Sequence, residues 1–95
     1  MKDSRKRAPA VKIPQLEAFI AVAELGSFTE AAKSLSTSQS SISRRVAELE
    51  AILCRPLRIS DGPFVLSPQG EEFLGLAQKI VAQLSAFRDT GRYSA

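Results

Sequence analysis

The sequence predicts a mainly α fold of four helices and one short β-hairpin. Three observations predict it. Apolar residues recur at helical spacing in separate stretches. Serines stand where three of those stretches begin: Ser27, Ser38 and Ser67. Asp61-Gly62-Pro63 separates two short strand-like runs. At 95 residues the chain suffices for one small domain with a modest core.

The first helix spans Pro14 to Leu25. Leu16, Phe19, Ile20 and Ala23 fall on one helical face. Pro14 suits the first turn, where its missing N–H is harmless. Gly26 follows, where a left-handed residue ends a helix. Ser27-Phe28-Thr29-Glu30 reads as a capping box, Ser27 accepting from residue 30 and Glu30 reaching back to residue 27. A short second helix, Thr29 to Leu35, follows. Its small Ala31 and Ala32 let a neighbour approach closely.

Ser38 caps a third helix that runs to Leu53, with Ile42, Val46, Leu49 and Leu53 on its buried face. The start of this helix is polar: Gln39, Ser40, Ser41 and Ser43. Arg44 and Arg45 stand one turn in, and Glu48 and Glu50 lie in the far half. Helices ordinarily carry acidic residues at their positive end. Their absence here suits an end that meets a polyanion.

Leu57 to Ser60 and Phe64 to Ser67 form a two-stranded wing, its pairing limited by Pro63. Ser67 and Pro68 are N-cap and first residue of the fourth helix, which extends to about Arg88. Phe73, Ala77, Ile80, Leu84 and Phe87 make a heptad seam. A helix of about 20 residues spans roughly 30 Å, longer than so small a domain covers. The seam therefore predicts a homodimer; the alternative is packing on the first helix of its own chain.

Composition narrows the function classes. Apolar residues make up 44% and charged residues 24% of the chain, ordinary for a globular protein. No apolar run reaches the ~18 residues of a membrane span, and no apolar core follows the basic N-terminus as a secretory signal requires. The single cysteine, Cys54, forms no internal disulfide, and with no histidine there is no zinc set. These features predict a cytoplasmic protein with no membrane partner, metal or cofactor. No catalytic residue is expected, since the serines occupy cap and helix-start positions. Cys54, after an apolar helix, reads as a packing residue rather than a redox switch.

The net charge is +3. Lys2, Arg5, Lys6, Arg7 and Lys12 against Asp3 supply more than all of it, so the rest of the chain is slightly acidic. Residues 1–12 read as a basic, disordered tail, either a solvated leader or an arm on phosphate.

Helix, tight turn, helix, with small residues in the first and polar residues opening the second, is a helix-turn-helix pattern, here residues 28–47. The literal residues go further. Leu16, Phe19, Val22-Ala23-Glu24, Gly26-Ser27-Phe28-Thr29, Ala31-Ala32 and Leu35 precede Ser38-Gln39-Ser40, Ile42-Ser43-Arg44, Val46, Leu49-Glu50 and Leu53. With Pro56-Leu57 and Leu66-Ser67-Pro68-x-Gly70, this closely resembles the N-terminal DNA-binding domain of LysR-type transcriptional regulators over residues 13–88. The resemblance implies a winged helix-turn-helix (13–67), a linker and dimerisation helix (68–90) and a C-terminal tail (91–95). It implies sequence-specific binding of double-stranded DNA by a dimer, and leaves RNA polymerase as a further candidate partner.

By resemblance the third helix is the recognition helix. Gln39, Ser40, Ser43 and Arg44 are assigned to base reading; Gln suits adenine and Arg guanine. Ser27 and Thr29 match positions that hold phosphate through hydroxyls and backbone N–H groups. Ser38, Arg45 and Arg58 join the phosphate set, Arg45 standing where the family often has Gln. The fourth helix of the family pairs with its twin, which agrees with the seam Phe73, Ala77, Ile80, Leu84 and Phe87.

The chain departs from the family at several points. Cys54 stands where a left-handed Gly is usual, Arg58 where an aromatic or apolar residue is usual, and Ser60 where an Arg contacts DNA. The wing is one residue shorter. Arg55 and Arg58 are the nearby replacements for the lost Arg. The family's effector domain is absent from this sequence, as in an excised domain or a naturally short protein. Other winged helices, such as ModE-type molybdate regulators, are the nearest alternative. A dimerisation or protein-interaction module with an incidental basic tail is the alternative of another class.

Overall fold

The core is organised around Phe19, which is fully buried. The computed structural model describes residues 10–59 and 64–94, with side chains described through residue 88. It contains α1 (Ile13–Leu25), α2 (Phe28–Ser34), α3 (Gln39–Leu53) and α4 (Pro68–Ser94). None of these helices is long and apolar enough to cross a membrane.

α1 touches all three other helices. Its buried surface is accordingly wider than the expected stripe: Leu16, Ala18, Phe19, Ala21 and Val22 are buried, while Ile20 and Ala23 are only half-buried. Its N-terminus uses a pairing that periodicity did not reveal. Lys12 is the N-cap, and the buried Gln15 side chain accepts from the Lys12 N–H at 2.9 Å. Gly26 closes the helix at φ 68° and donates to the Val22 carbonyl.

α2 is capped by Ser27 Oγ, which accepts from the Glu30 N–H at 3.1 Å. The expected reciprocal half of the capping box is replaced, because the Glu30 carboxylate faces Lys33 at 3.6 Å. Ala31 and Ala32 are buried, so α1 and α3 both come close. The helix ends in a Schellman turn: Thr37 N–H donates to the Ala32 carbonyl and Ser36 N–H to that of Lys33. Ser36 holds the left-handed position at φ 54°, a role ordinarily given to Gly.

α3 begins at the Ser38 cap, whose Oγ accepts from the Ser41 N–H. Ile42, Val46 and Leu49 are fully buried and pack on α1. Full burial stabilises by about 1.5–3 kcal/mol for each such side chain. Cys54 ends the helix left-handed at φ 55°, with Arg55 N–H returning to the Glu50 carbonyl. Contrary to the packing expectation, Cys54 is exposed, its thiol directed to the Ala51 carbonyl. The left-handed turn swings the side chain off the apolar stripe.

The two expected strands of the wing reduce to a single bridge among the described residues. Arg58 and Leu66 form one antiparallel bridge, flanked by Ile59 N–H to Val65 O and Ser67 N–H to Leu57 O. Among the described residues no longer ladder forms. Ser60 and Asp61-Gly62-Pro63 lie outside the described residues, as do residues 1–9 of the basic tail.

α4 starts as expected, Ser67 Oγ accepting from the Gly70 N–H at 3.0 Å and donating to the Pro56 carbonyl at 2.9 Å. A Cβ on Gly70 would overlap the Leu57 carbonyl, so only Gly allows this approach. The helix continues to Ser94 rather than ending near Arg88. The seam divides in two. Ala77 is fully buried, and Phe73 and Ile80 pack against the core of their own chain. Leu84 and Phe87 remain 48% and 78% exposed. The intrachain alternative therefore describes the proximal half, because α1 lies alongside it.

Two substitutions test this account by urea or thermal unfolding. Gly70→Ala lowers stability by about 1–3 kcal/mol through overpacking against Leu57. Cys54→Gly raises it by about 1 kcal/mol by relieving left-handed strain, an upward Tm shift of roughly 4–8 °C for a domain this size.

Candidate nucleic-acid interface

α2, the Ser36 turn and α3 form the helix-turn-helix, and packing decides which face of α3 looks outward. With Ile42, Val46 and Leu49 against α1, the surface beside and opposite that stripe carries Gln39, Ser43, Ser40 and Arg44, all exposed. At about 100° per residue these four span roughly 140° of one face. Ala47 is exposed on the same face. It was absent from the sequence-derived set, since an Ala in a helix signals nothing by itself; its methyl suits contact with a thymine methyl.

The base-reading candidates are held by neighbours. Thr29 Oγ1 donates to Gln39 Oε1 at 3.0 Å, joining the starts of α2 and α3. This leaves the Gln39 amide N–H groups facing outward. Arg44 Nη1 lies 3.5 Å from Glu48 Oε2, and the other Glu48 oxygen accepts from Gln15 Nε2 at 3.4 Å. A short polar chain thus runs from the first turn of α1 to Arg44. The spacing of Arg44 and Glu48 signals their pairing. The partnership with Gln15 is long-range and had no signal in the sequence.

The assigned phosphate residues separate into different kinds. Ser27 is the α2 cap. Thr29 gives its hydroxyl proton to Gln39, but its backbone N–H, in the first turn, has no intrahelical acceptor. Ser38 is committed locally, donating to Ser41 Oγ at 2.9 Å while capping α3. Arg45 is half-buried and forms no ion pair among the described residues.

Arg58, assigned to phosphate by the resemblance, has its side chain drawn inward. Its side chain is 20% exposed, its Nε lies 3.9 Å from Glu50 Oε2 and its guanidinium sits 5.5 Å from the Phe28 ring centroid. The bridge to Leu66 puts Arg58 on the inner side of the wing, where the alternation of side chains across a strand turns it toward the core. Glu50 also accepts from the Leu57 N–H at 2.9 Å. Phe64 completes this region, edge-on to Phe28 at 5.7 Å and to Phe19 at 6.2 Å. Among the described residues no cluster of potential metal ligands occurs.

Known proteins are similar to this chain in sequence and fold. The family model described as "Bacterial regulatory helix-turn-helix protein, lysR family" matches residues 13–71. The HTH-type transcriptional regulator ArgP of Vibrio parahaemolyticus is 42% identical over 65 residues, 68% of this chain and 22% of that protein. Among solved structures, the complex of the BenM DNA-binding domain with catB site 1 DNA superposes with a TM-score of 0.81 at 29% identity, covering 86% of this chain and 92% of that one. The complex of the CbnR DNA-binding domain with DNA gives 0.77 at 37% identity, covering 87% and 97%. The chain thus spans about a fifth of the length of such a full-length relative, and nearly the whole of the isolated DNA-binding domains. By its sequence and its winged helix-turn-helix fold, the chain belongs to the LysR family of bacterial regulatory helix-turn-helix proteins.

Proposed function

We propose that this chain binds double-stranded DNA sequence-specifically, as the DNA-binding domain of a LysR-type transcriptional regulator in the bacterial cytoplasm. The observation that carries the proposal is the outward face of α3. Gln39, Ser40, Ser43 and Arg44 share it, and no acidic residue lies in the first turn. An α-helix fits the major groove, where such donors and acceptors distinguish all base pairs. The relatives named above include DNA-binding domains solved on DNA, which supports DNA as the partner here.

Phosphate contacts position the domain. Candidates are the backbone N–H groups at the start of α2, the Ser27 and Thr29 region, Ser38, Arg45 and the basic tail. Dimerisation is assigned to the distal part of α4, where Leu84 and Phe87 leave apolar surface uncovered. Two recognition helices on one side of the duplex then require half-sites separated by about 10–10.5 base pairs or multiples of it.

Selection of bound DNA from a random pool tests the whole proposal and is expected to return a partly palindromic site. Against that site, Gln39→Ala and Arg44→Ala each weaken binding by about 1–3 kcal/mol and relax preference at one position. Equal losses on all sequences would exclude base reading by that residue. Replacing Leu84 and Phe87 together by Glu converts a dimer to a monomer in sedimentation equilibrium; an unchanged association state would move the dimer interface elsewhere.

A further inference from the structure

We infer that Arg58 is a positioning residue, which with Glu50 and Phe28 latches the wing to both helices of the helix-turn-helix. Its consequence for binding rests on the DNA-binding reading above, while the latch itself does not.

Four contacts join the wing to α2 and α3. Glu50, in the last turn of α3, accepts from the Leu57 N–H at 2.9 Å, just before the wing. The same oxygen faces Arg58 Nε at 3.9 Å, and the two side chains are only 19% and 20% exposed. The Arg58 guanidinium lies over the ring of Phe28, the first residue of α2, at 5.5 Å from its centroid. The other half of the wing reaches that ring through Phe64, edge-on at 5.7 Å. Phe28 thus receives both sides of the wing, and Glu50 ties its root to the recognition helix.

Charge and solvation agree with a positioning role. A guanidinium paired with a carboxylate offers no net charge to a phosphate. Both members have left most of their water, so removing one strands the other in a poorly solvated place. The face of Phe28 further favours the cation where it lies. Turning Arg58 outward would break all of this for one exposed phosphate contact. Arg58 therefore acts on DNA by fixing where the wing stands relative to α3.

Two variants test the latch. Arg58→Met keeps apolar bulk and removes the cation; Glu50→Gln keeps an acceptor for Leu57 and removes the anion. Amide hydrogen exchange on the free protein reads the wing directly. Ile59, whose N–H donates to Val65 O at 2.8 Å, is expected to exchange several-fold faster in both variants. The double variant is expected to exchange no faster than the faster single, while Phe19 and Val46 stay protected. With the selected DNA site, Arg58→Met weakens binding several-fold at fixed salt and leaves the salt dependence unchanged. Unaltered Ile59 exchange in both variants overturns the latch. A salt slope reduced by about one on losing Arg58 overturns the positioning role in favour of a phosphate contact. If the unaltered chain fails to bind DNA, the reading of its function fails, and exchange still decides the latch.

Discussion

The contact between α3 and α1 is the constraint on which the rest depends. Ile42, Val46 and Leu49 are fully buried there, with Phe19 and Val22 among the residues of α1 that complete the core. A helix held by one stripe has no freedom to rotate about its axis. Once those three side chains face inward, Ser40 and Arg44 must face outward, and Gln39 and Ser43 lie beside the stripe, exposed near the start of α3. The small residues of α2 serve the same end. Ala31 and Ala32 let α2 approach α1 and α3 without displacing either.

Two left-handed residues set the ends of this arrangement. Ser36 turns the chain from α2 into α3, and Cys54 turns it from α3 toward the wing. Neither is glycine, so each carries a conformational penalty of about 1–2 kcal/mol. Both lie in Schellman turns whose backbone hydrogen bonds offset part of that cost. Local strain is thus accepted where the direction of the chain matters most. The start of α4 meets a similar demand by another route. Gly70 has ordinary helical geometry, but only its lack of a Cβ lets α4 dock on Leu57.

Several charges of α2, α3 and the wing are paired within the chain. Apart from the N-terminal residues the chain is slightly acidic. Glu48 faces Arg44, Glu50 faces Arg58, and Glu30 faces Lys33. The Arg44–Glu48 and Lys33–Glu30 pairs are exposed and contribute about 0–1 kcal/mol each, so their chief effect is orientation, while the Glu50–Arg58 pair is mostly buried. Gln39 is oriented too, by a neutral hydrogen bond from Thr29. The candidate interface is therefore an ordered set of donors, not a basic patch.

Much of this was legible in the sequence because it depends on neighbours along the chain. The Ser27, Ser38 and Ser67 caps, the left-handed position at Gly26 and the α3 stripe follow from local spacing, while the left-handed position at Cys54 follows from the resemblance to the family. The existence of the wing was legible as well, since two short strand-like runs flank Asp61-Gly62-Pro63. Other features had no local signal. Gln15 is buried because it joins the first turn of α1 to Glu48, far away in the chain. Arg58 turns inward because Glu50 and Phe28 wait there, and a basic residue in a wing otherwise suggests phosphate. The α4 heptad was read correctly as apolar and assigned throughout to a twin chain, whereas the core of its own chain covers Phe73, Ala77 and Ile80 and leaves Leu84 and Phe87 open. Periodicity determines which side of a helix is apolar; only the folded chain decides what covers it and which charges face each other, because those contacts join residues that the sequence keeps apart.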